Sequence, residues 1–100
     1  MIGSIASLST AHISVEDNNL LMLKKVPDGI PLLTAYDGGW FFYRCEERDE
    51  MVKDLVSAGM SPYTILLFEY VFFELKVDIL RLDMDADTIK KLPVFAIIFG

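Results

Sequence analysis

The 100-residue sequence holds one cysteine and one histidine. A lone cysteine excludes an internal disulfide framework and a cysteine-built zinc site, and a lone histidine excludes a multi-histidine metal centre. A basic surplus is also missing: nine Lys and Arg stand against fifteen Asp and Glu, for a formal charge of −6. Without a strongly basic face, direct nucleic-acid binding is not expected, whereas an acidic surface suits a basic protein partner. No apolar run reaches the roughly 20 residues that a spanning helix needs. The most apolar stretch, Pro62–Phe73, is interrupted by Glu69 and followed at once by Glu74 and Lys76. No Lys or Arg precedes the apolar residues of the N-terminal MIGSIASLSTAH, unlike a secretory leader. No membrane association is expected, and the cytoplasm is the expected location.

What is present is a large apolar fraction. Hydrophobic residues make up 53% of the chain, enough to bury a core, and residues 1–100 read as a single domain with no linker, repeat or low-complexity segment. Ile2–Ala11 alternates small and apolar residues and predicts a strand near a sheet edge. Ser14 predicts an N-cap, with Asp17 three residues on as a weak capping box, for a helix over Val15–Lys25. VPDGIP (26–31) is a loop, Leu32–Tyr36 a short strand, and Asp37-Gly38-Gly39 the turn of a hairpin. Trp40–Cys45 is an aromatic strand with Trp40, Phe42 and Arg44 on one face and Phe41, Tyr43 and Cys45 on the other. The stripe Met51, Val52, Leu55, Val56 predicts an amphipathic helix over 47–58, stopped by Gly59. Ser61-Pro62 starts a second one, Pro62–Lys76, whose β-branched and aromatic content also permits a strand. Val77–Asp83 predicts a strand with Leu80 and Leu82 on one face, Asp85–Leu92 a turn, and Val94–Phe99 a terminal strand. The fold class is α+β: a two-layer sandwich, a three- to five-stranded sheet with two or three helices on one face. A right-handed crossover is able to make some strands parallel.

Three segments, Leu8–Ser14 (LSTAHIS), Gly39–Tyr43 (GWFFY) and Val77–Phe95 (VDILRLDMDADTIKKLPVF), occur in an order and spacing that resembles a family of small bacterial proteins, a domain-of-unknown-function family. Its members are commonly encoded on plasmids, integrative elements and phages. The family pattern is a leading STAH-I/L segment, an aromatic strand, and a C-terminal strand running into D-x-D-A-D and then L-P-x-F. This chain departs from it by ending in AIIFG, where the family tends to carry an acidic residue and Trp, and by its Phe- and Tyr-rich middle. The resemblance implies a mobile-element setting; it implies no reaction, cofactor or catalytic residue.

The chemistry-bearing residues each have a plain structural explanation beside a functional one. Asp83, Asp85 and Asp87 are spaced like the first three ligands of a calcium loop, but position six is Thr88 instead of Gly and position twelve is Val94 instead of Glu, which excludes an EF-hand. A looser metal or ligand site on these three carboxylates with His12 competes with their use as caps and turns. Ser9 and His12 evoke a hydrolase pair, yet no strand–turn–helix elbow surrounds them, and in an extended chain they point to opposite faces. Cys45, at the end of an apolar strand, is expected to be a buried inert thiol whose pKa the adjacent Glu46 and Glu47 raise. Tyr36, Trp40, Phe42, Phe68, Phe72 and Phe73 exceed what a core of this size needs, so part of this surface is expected to meet another protein or a second copy.

The partner-binding candidates are therefore Tyr36, Trp40, Tyr43 and Arg44 as anchors, with Glu46, Glu47 and Glu50 as an acidic docking patch. The sequence points to an interaction protein, not an enzyme, with no cofactor. The expected function is that of a mobile-element accessory protein that binds and inhibits a host defence complex. Anti-CRISPR activity is the most specific version. The alternatives are a metal- or ligand-binding domain centred on Asp83, Asp85 and Asp87, and a homodimeric regulatory protein of the element.

Overall fold

A computed structural model describes residues 4–23 and 25–95. Four strands form one mixed sheet: β1 (Ile5–Ser9), β2 (Leu32–Tyr36), β3 (Gly39–Tyr43) and β4 (Ile79–Asp83), in the order β1-β4-β3-β2. Strand β1 runs parallel to β4, and β4–β3 and β3–β2 are antiparallel. Three α-helices complete the fold: α1 (Val15–Leu21), α2 (Arg48–Ser57) and α3 (Pro62–Glu69). The α+β class, the edge position of β1, the β2–β3 hairpin and a parallel pair all match the expectation from sequence.

Alternation along the strands decides which face is covered. Leu8, Phe42, Leu80 and Leu82 are buried and sit opposite one another in the register: Leu8 beside Leu82, and Phe42 beside Leu80. Leu55, Leu67, Phe68, Val71 and Phe72 from the helical layer complete the core at 0 to 1% exposure. Phe42, Phe68 and Phe72 stack in sequence, with centroids 4.9 and 5.6 Å apart. Three of the six aromatics that looked surplus in the sequence are thus ordinary core, held by mutual tilted packing.

Several local expectations are refined. The first strand stops at Ser9 because Ser9 accepts the Ala11 N–H and begins a single 3-10 turn, Thr10–His12. Helix α1 ends at Leu21, four residues short of the expected end, in a chain whose apolar stripe gives out at two exposed residues, Met22 and Leu23. Gly59 takes φ +92° just past α2, the left-handed C′ position that the sequence marks. The apolar run after Ser61-Pro62 is helical, but only Pro62–Glu69 is α; Tyr70–Glu74 continues as one π-helical segment. The segment Asp85–Leu92 contains turns and no helix. Most of the expected terminal strand, residues 96–99, lies outside the described residues, and Val94 and Phe95 belong to no strand. Gly39 is dictated by close approach: a Cβ there would lie 1.8 Å from the Leu82 carbonyl oxygen, so only a glycine lets β3 lie against β4 at this point.

Candidate functional site

The helices cover one face of the sheet, and the opposite face carries a distinct set of side chains. The register places them in rows. Ile5, Ile79 and Tyr43 form the first row; Ser7, Arg81, Phe41 and Thr34 the second; Ser9, Asp83, Gly39 and Tyr36 the third. Ile5 is 55% exposed and Tyr43 38%, while Phe41, Tyr36 and Ile79 are half-buried.

A network stiffens the second and third rows. Tyr36 Oη donates to Asp83 Oδ2 at 2.7 Å, and Arg81 Nε donates to Tyr36 Oη at 2.9 Å. Arg81 also reaches Asp83 Oδ2 at 2.7 Å, and the Asp85 N–H donates to Asp83 Oδ1 at 2.8 Å. The Arg81 guanidinium lies 5.3 Å from the Tyr36 ring centroid and 6.0 Å from that of Phe41, within cation–π reach. The hydrogen bond from Tyr36, followed by that from the Asp85 N–H, holds the Asp83 carboxyl below the usual carboxylate range. Burial, reinforced by the bond to Asp83, holds the Tyr36 phenol above its ordinary value. The result is an aromatic surface whose Tyr36 and Phe41 rings are tied to Arg81 and Asp83 by hydrogen bonds and cation–π contact.

The chain leaves this surface through the acidic segment. Arg44 pairs with Asp78 at 2.8 Å just beyond β3. Glu47 and Glu50 are exposed, and Glu46 is half-buried. The neighbouring Asp54 carboxyl, then burial and the charges of Asp54 and Glu50, raise the pKa of Glu46. Arg44, Cys45, Glu46, Glu47 and Phe73 line a cleft of about 510 Å³. Cys45 is exposed, contrary to the buried thiol expected from its strand, because β3 ends at Tyr43 and the chain turns away from the sheet. Partial burial of its sulfur, then the Glu46 charge, raises its pKa; the direction matches the sequence reading, but Glu47, also expected to raise it, has no part. A raised thiol pKa leaves little thiolate at neutral pH and makes it a poor nucleophile.

The structure separates the seven partner-binding candidates into groups. Tyr36 and Tyr43 share the open face, and Arg44 with Glu46, Glu47 and Glu50 follows β3 at its end. Trp40 belongs elsewhere: it pairs with Leu82 on the helix-facing side and is packed against the core. It lines a second cleft, about 440 Å³, at the Gly38-Gly39 end of the sheet, where Met22, Met84 and Phe95 meet Tyr36 from the open face. Sequence reasoning placed Phe41 with Tyr43 and Arg81 opposite Leu80 and Leu82, but did not name either as a partner-binding candidate. The signal was available, since Phe41 alternates with Trp40 and Arg81 with Leu80 and Leu82.

Asp83, Asp85, Asp87 and His12 are not brought together. Asp83 is engaged by Tyr36, Arg81 and the Asp85 N–H. Asp87 contributes its backbone carbonyl to the Ser9 N–H at 2.9 Å. His12 is 1% exposed, and both ring nitrogens meet backbone. Nδ1 donates to the Pro93 carbonyl at 2.8 Å, and Nε2 accepts the Ile89 N–H at 2.8 Å, which fixes the tautomer with hydrogen on Nδ1. With the Phe95 N–H bonded to the Ala11 carbonyl at 2.7 Å, these contacts tie residues 87–95 onto the corner after β1. Among the described residues, no group of three or more His, Cys, Asp or Glu side chains is arranged to hold a metal ion. None of the described helices is long and apolar enough to cross a membrane.

A family model described as "Family of unknown function (DUF5983) C-terminal domain" matches residues 5–97. No curated protein and no solved structure matches the chain.

Proposed function

We propose, from the premise that this chain belongs to the DUF5983 family of unknown function, that it is a protein-binding module whose open sheet face grips a partner protein. The observation that carries this reading is the ordered aromatic face, in which Tyr36 and Phe41 are held by Arg81 and Asp83 while Tyr43 stands exposed beside Ile79 and Ile5. Tyrosine and arginine are the residues that most often anchor interfaces, and a rigid patch needs little ordering on contact. The acidic segment begins three residues beyond Tyr43. Its crowded carboxylates, Glu46 and Glu50 with Asp54, favour a basic partner, which would relieve their mutual repulsion and steer encounter.

In its sharpest form the proposal is that the protein acts in the cytoplasm as an accessory protein of a mobile element and blocks a host defence complex. A CRISPR-Cas complex is the first target to try and a restriction complex the second. Carboxylates docked on a nucleic-acid-binding surface compete with the phosphates that the surface normally holds. The decisive test mixes the purified protein with purified defence complexes and measures retention and DNA cleavage together. Stoichiometric retention with loss of cleavage, reversed by charge reversal at Glu46, Glu47 and Glu50 or by Tyr43→Ala, supports the reading. Full cleavage by every complex at saturating protein refutes the inhibitor form. Binding that survives both sets of substitutions refutes the surface assignment.

A further inference from the structure

We propose that the outer edge of β2 is a docking site for an extended segment of a partner protein, which joins the sheet as an added strand. The proposal rests on the reading of the domain as a protein-binding module and names the chemistry of the partner: a backbone already in, or readily drawn into, β conformation.

The hairpin determines which peptide groups are free. In an antiparallel pair, residues alternate between bonding their neighbour and pointing away from it. The Tyr43 N–H donates to the Pro31 carbonyl at 3.1 Å, so Tyr43, and with it Phe41 and Gly39, direct their peptide groups toward β2. Arg44 donates to the Asp78 carbonyl at 2.9 Å, so Arg44, Phe42 and Trp40 direct theirs toward β4. The β2 residues opposite Trp40 and Phe42 are Ala35 and Leu32. Their peptide groups therefore point out of the sheet. The Leu32 N–H is engaged by the Ile30 carbonyl at 2.8 Å, and the Thr34 hydroxyl reaches the Ala35 carbonyl only at 3.4 Å. The Leu32 carbonyl and both groups of Ala35 form a donor and acceptor row whose complement is another extended backbone.

The edge is also poorly guarded. Natural edge strands are usually blunted with lysine, proline, bulges or a covering element. Leu32–Tyr36 reads LLTAY, with no charge and no proline, and Leu33, Thr34 and Ala35 are exposed. One bulge lies between Leu32 and Thr34. It divides the row into two contact points, at Leu32 and at Ala35, without removing either. The other edge differs, because the Ser9 N–H of β1 is already bonded to the Asp87 carbonyl. A strand added at β2 also lies beside Thr34 and Tyr36, and so extends the aromatic face with its own side chains.

Selection from a displayed library of random peptides about twelve residues long on the wild-type protein alone, with the enriched peptides then measured on A35P protein, tests this. Proline at 35 removes an N–H that no bond among the described residues uses and sets a ring across the edge, so the hairpin keeps its ladder. Enriched peptides should bind the wild-type protein at least about tenfold more tightly than A35P and should slow hydrogen exchange at the Ala35 amide. If A35P does not fold, A35K retains the N–H, places a charge on the edge and should weaken binding comparably. Absence of enrichment, or binders indifferent to both variants, overturns the proposal. Binders lost in Y43A but kept in A35P and A35K overturn the edge while leaving the open-face reading standing. A wild-type dimer in sedimentation that A35K dissolves assigns the edge to a second copy of this chain and overturns the foreign segment.

Discussion

Asp17 shows how far a single side chain departs from what its local sequence implies. Its position three residues after Ser14 marks it as part of a capping box, and its N–H is indeed bonded to the Ser14 hydroxyl at 3.2 Å. The carboxylate, 1% exposed, turns instead to the start of α3, where it accepts from the Ser61 N–H at 2.9 Å and from the Ser61 and Thr64 hydroxyls. It thus caps a helix 44 residues away in sequence, which leaves the Ser61 side chain free of the N-cap role. Asp17→Ala strands the buried Thr64 hydroxyl and the two half-buried donors of Ser61, and a loss of about 3 kcal/mol is expected in urea denaturation. Asp17→Asn keeps an acceptor and should lose less. The Tyr36–Asp83 pair makes a separate prediction in pH. Asp83 has a lowered pKa when folded, so its contribution is present above the unfolded value of about 4 and is lost as pH falls through the folded value. Tyr36 has a raised pKa, so its contribution is complete below about 10 and is lost as pH rises through the folded value. Tyr36→Phe should therefore flatten both the acid and the alkaline limbs of the stability profile measured by chemical denaturation.

At the scale of the element, legibility follows from how local the determining contact is. The hairpin, the α2 stop at Gly59 and the two faces of β4 depend on neighbours in sequence, and each is readable there. Helix α1 ends early and the run after Pro62 turns from α to π because tertiary packing, not local preference, decides those boundaries. Trp40 is the instructive residue. Its strand is legible in the sequence, yet an aromatic strand that is apolar on both faces does not reveal which face meets the helices; the register with Leu82 does. His12 is similar, because its partners Ile89 and Pro93 lie 77 and 81 residues away. His12→Ala removes two of the four bonds that pin residues 87–95 and leaves those of Asp87 and Phe95 in place. Hydrogen exchange at the Ile89 amide should accelerate strongly while the Leu80 and Leu82 amides change little, with a global loss of about 2 kcal/mol. Gly39→Ala forces β3 away from Leu82 and should lower stability by about 3 kcal/mol or more in thermal denaturation.

For the whole molecule, the two layers leave one sheet face to solvent, and this distinguishes interface substitutions from structural ones. Tyr43→Ala and charge reversal at Glu46, Glu47 and Glu50 touch no core contact. Each should alter stability by less than about 0.5 kcal/mol while weakening partner binding by tenfold or more, read by calorimetry for binding and by denaturation for stability. The same sheet order governs how the chain reaches this state. Strand β4 arrives last among the described strands, yet it lies between β1 and β3, and β1 has no other neighbour among them. During synthesis, β1 therefore emerges about seventy residues before the strand it pairs with, as the register of Ile5 with Ile79 requires. Only the β2–β3 hairpin and isolated helices are able to form in the interval, and neither is stable alone. Such topologies, dominated by distant pairings, fold slowly for their size. A nascent chain halted before Asp83 should remain open to proteases and chaperones along its whole length, and release of β4 from the ribosome should convert it in one cooperative step.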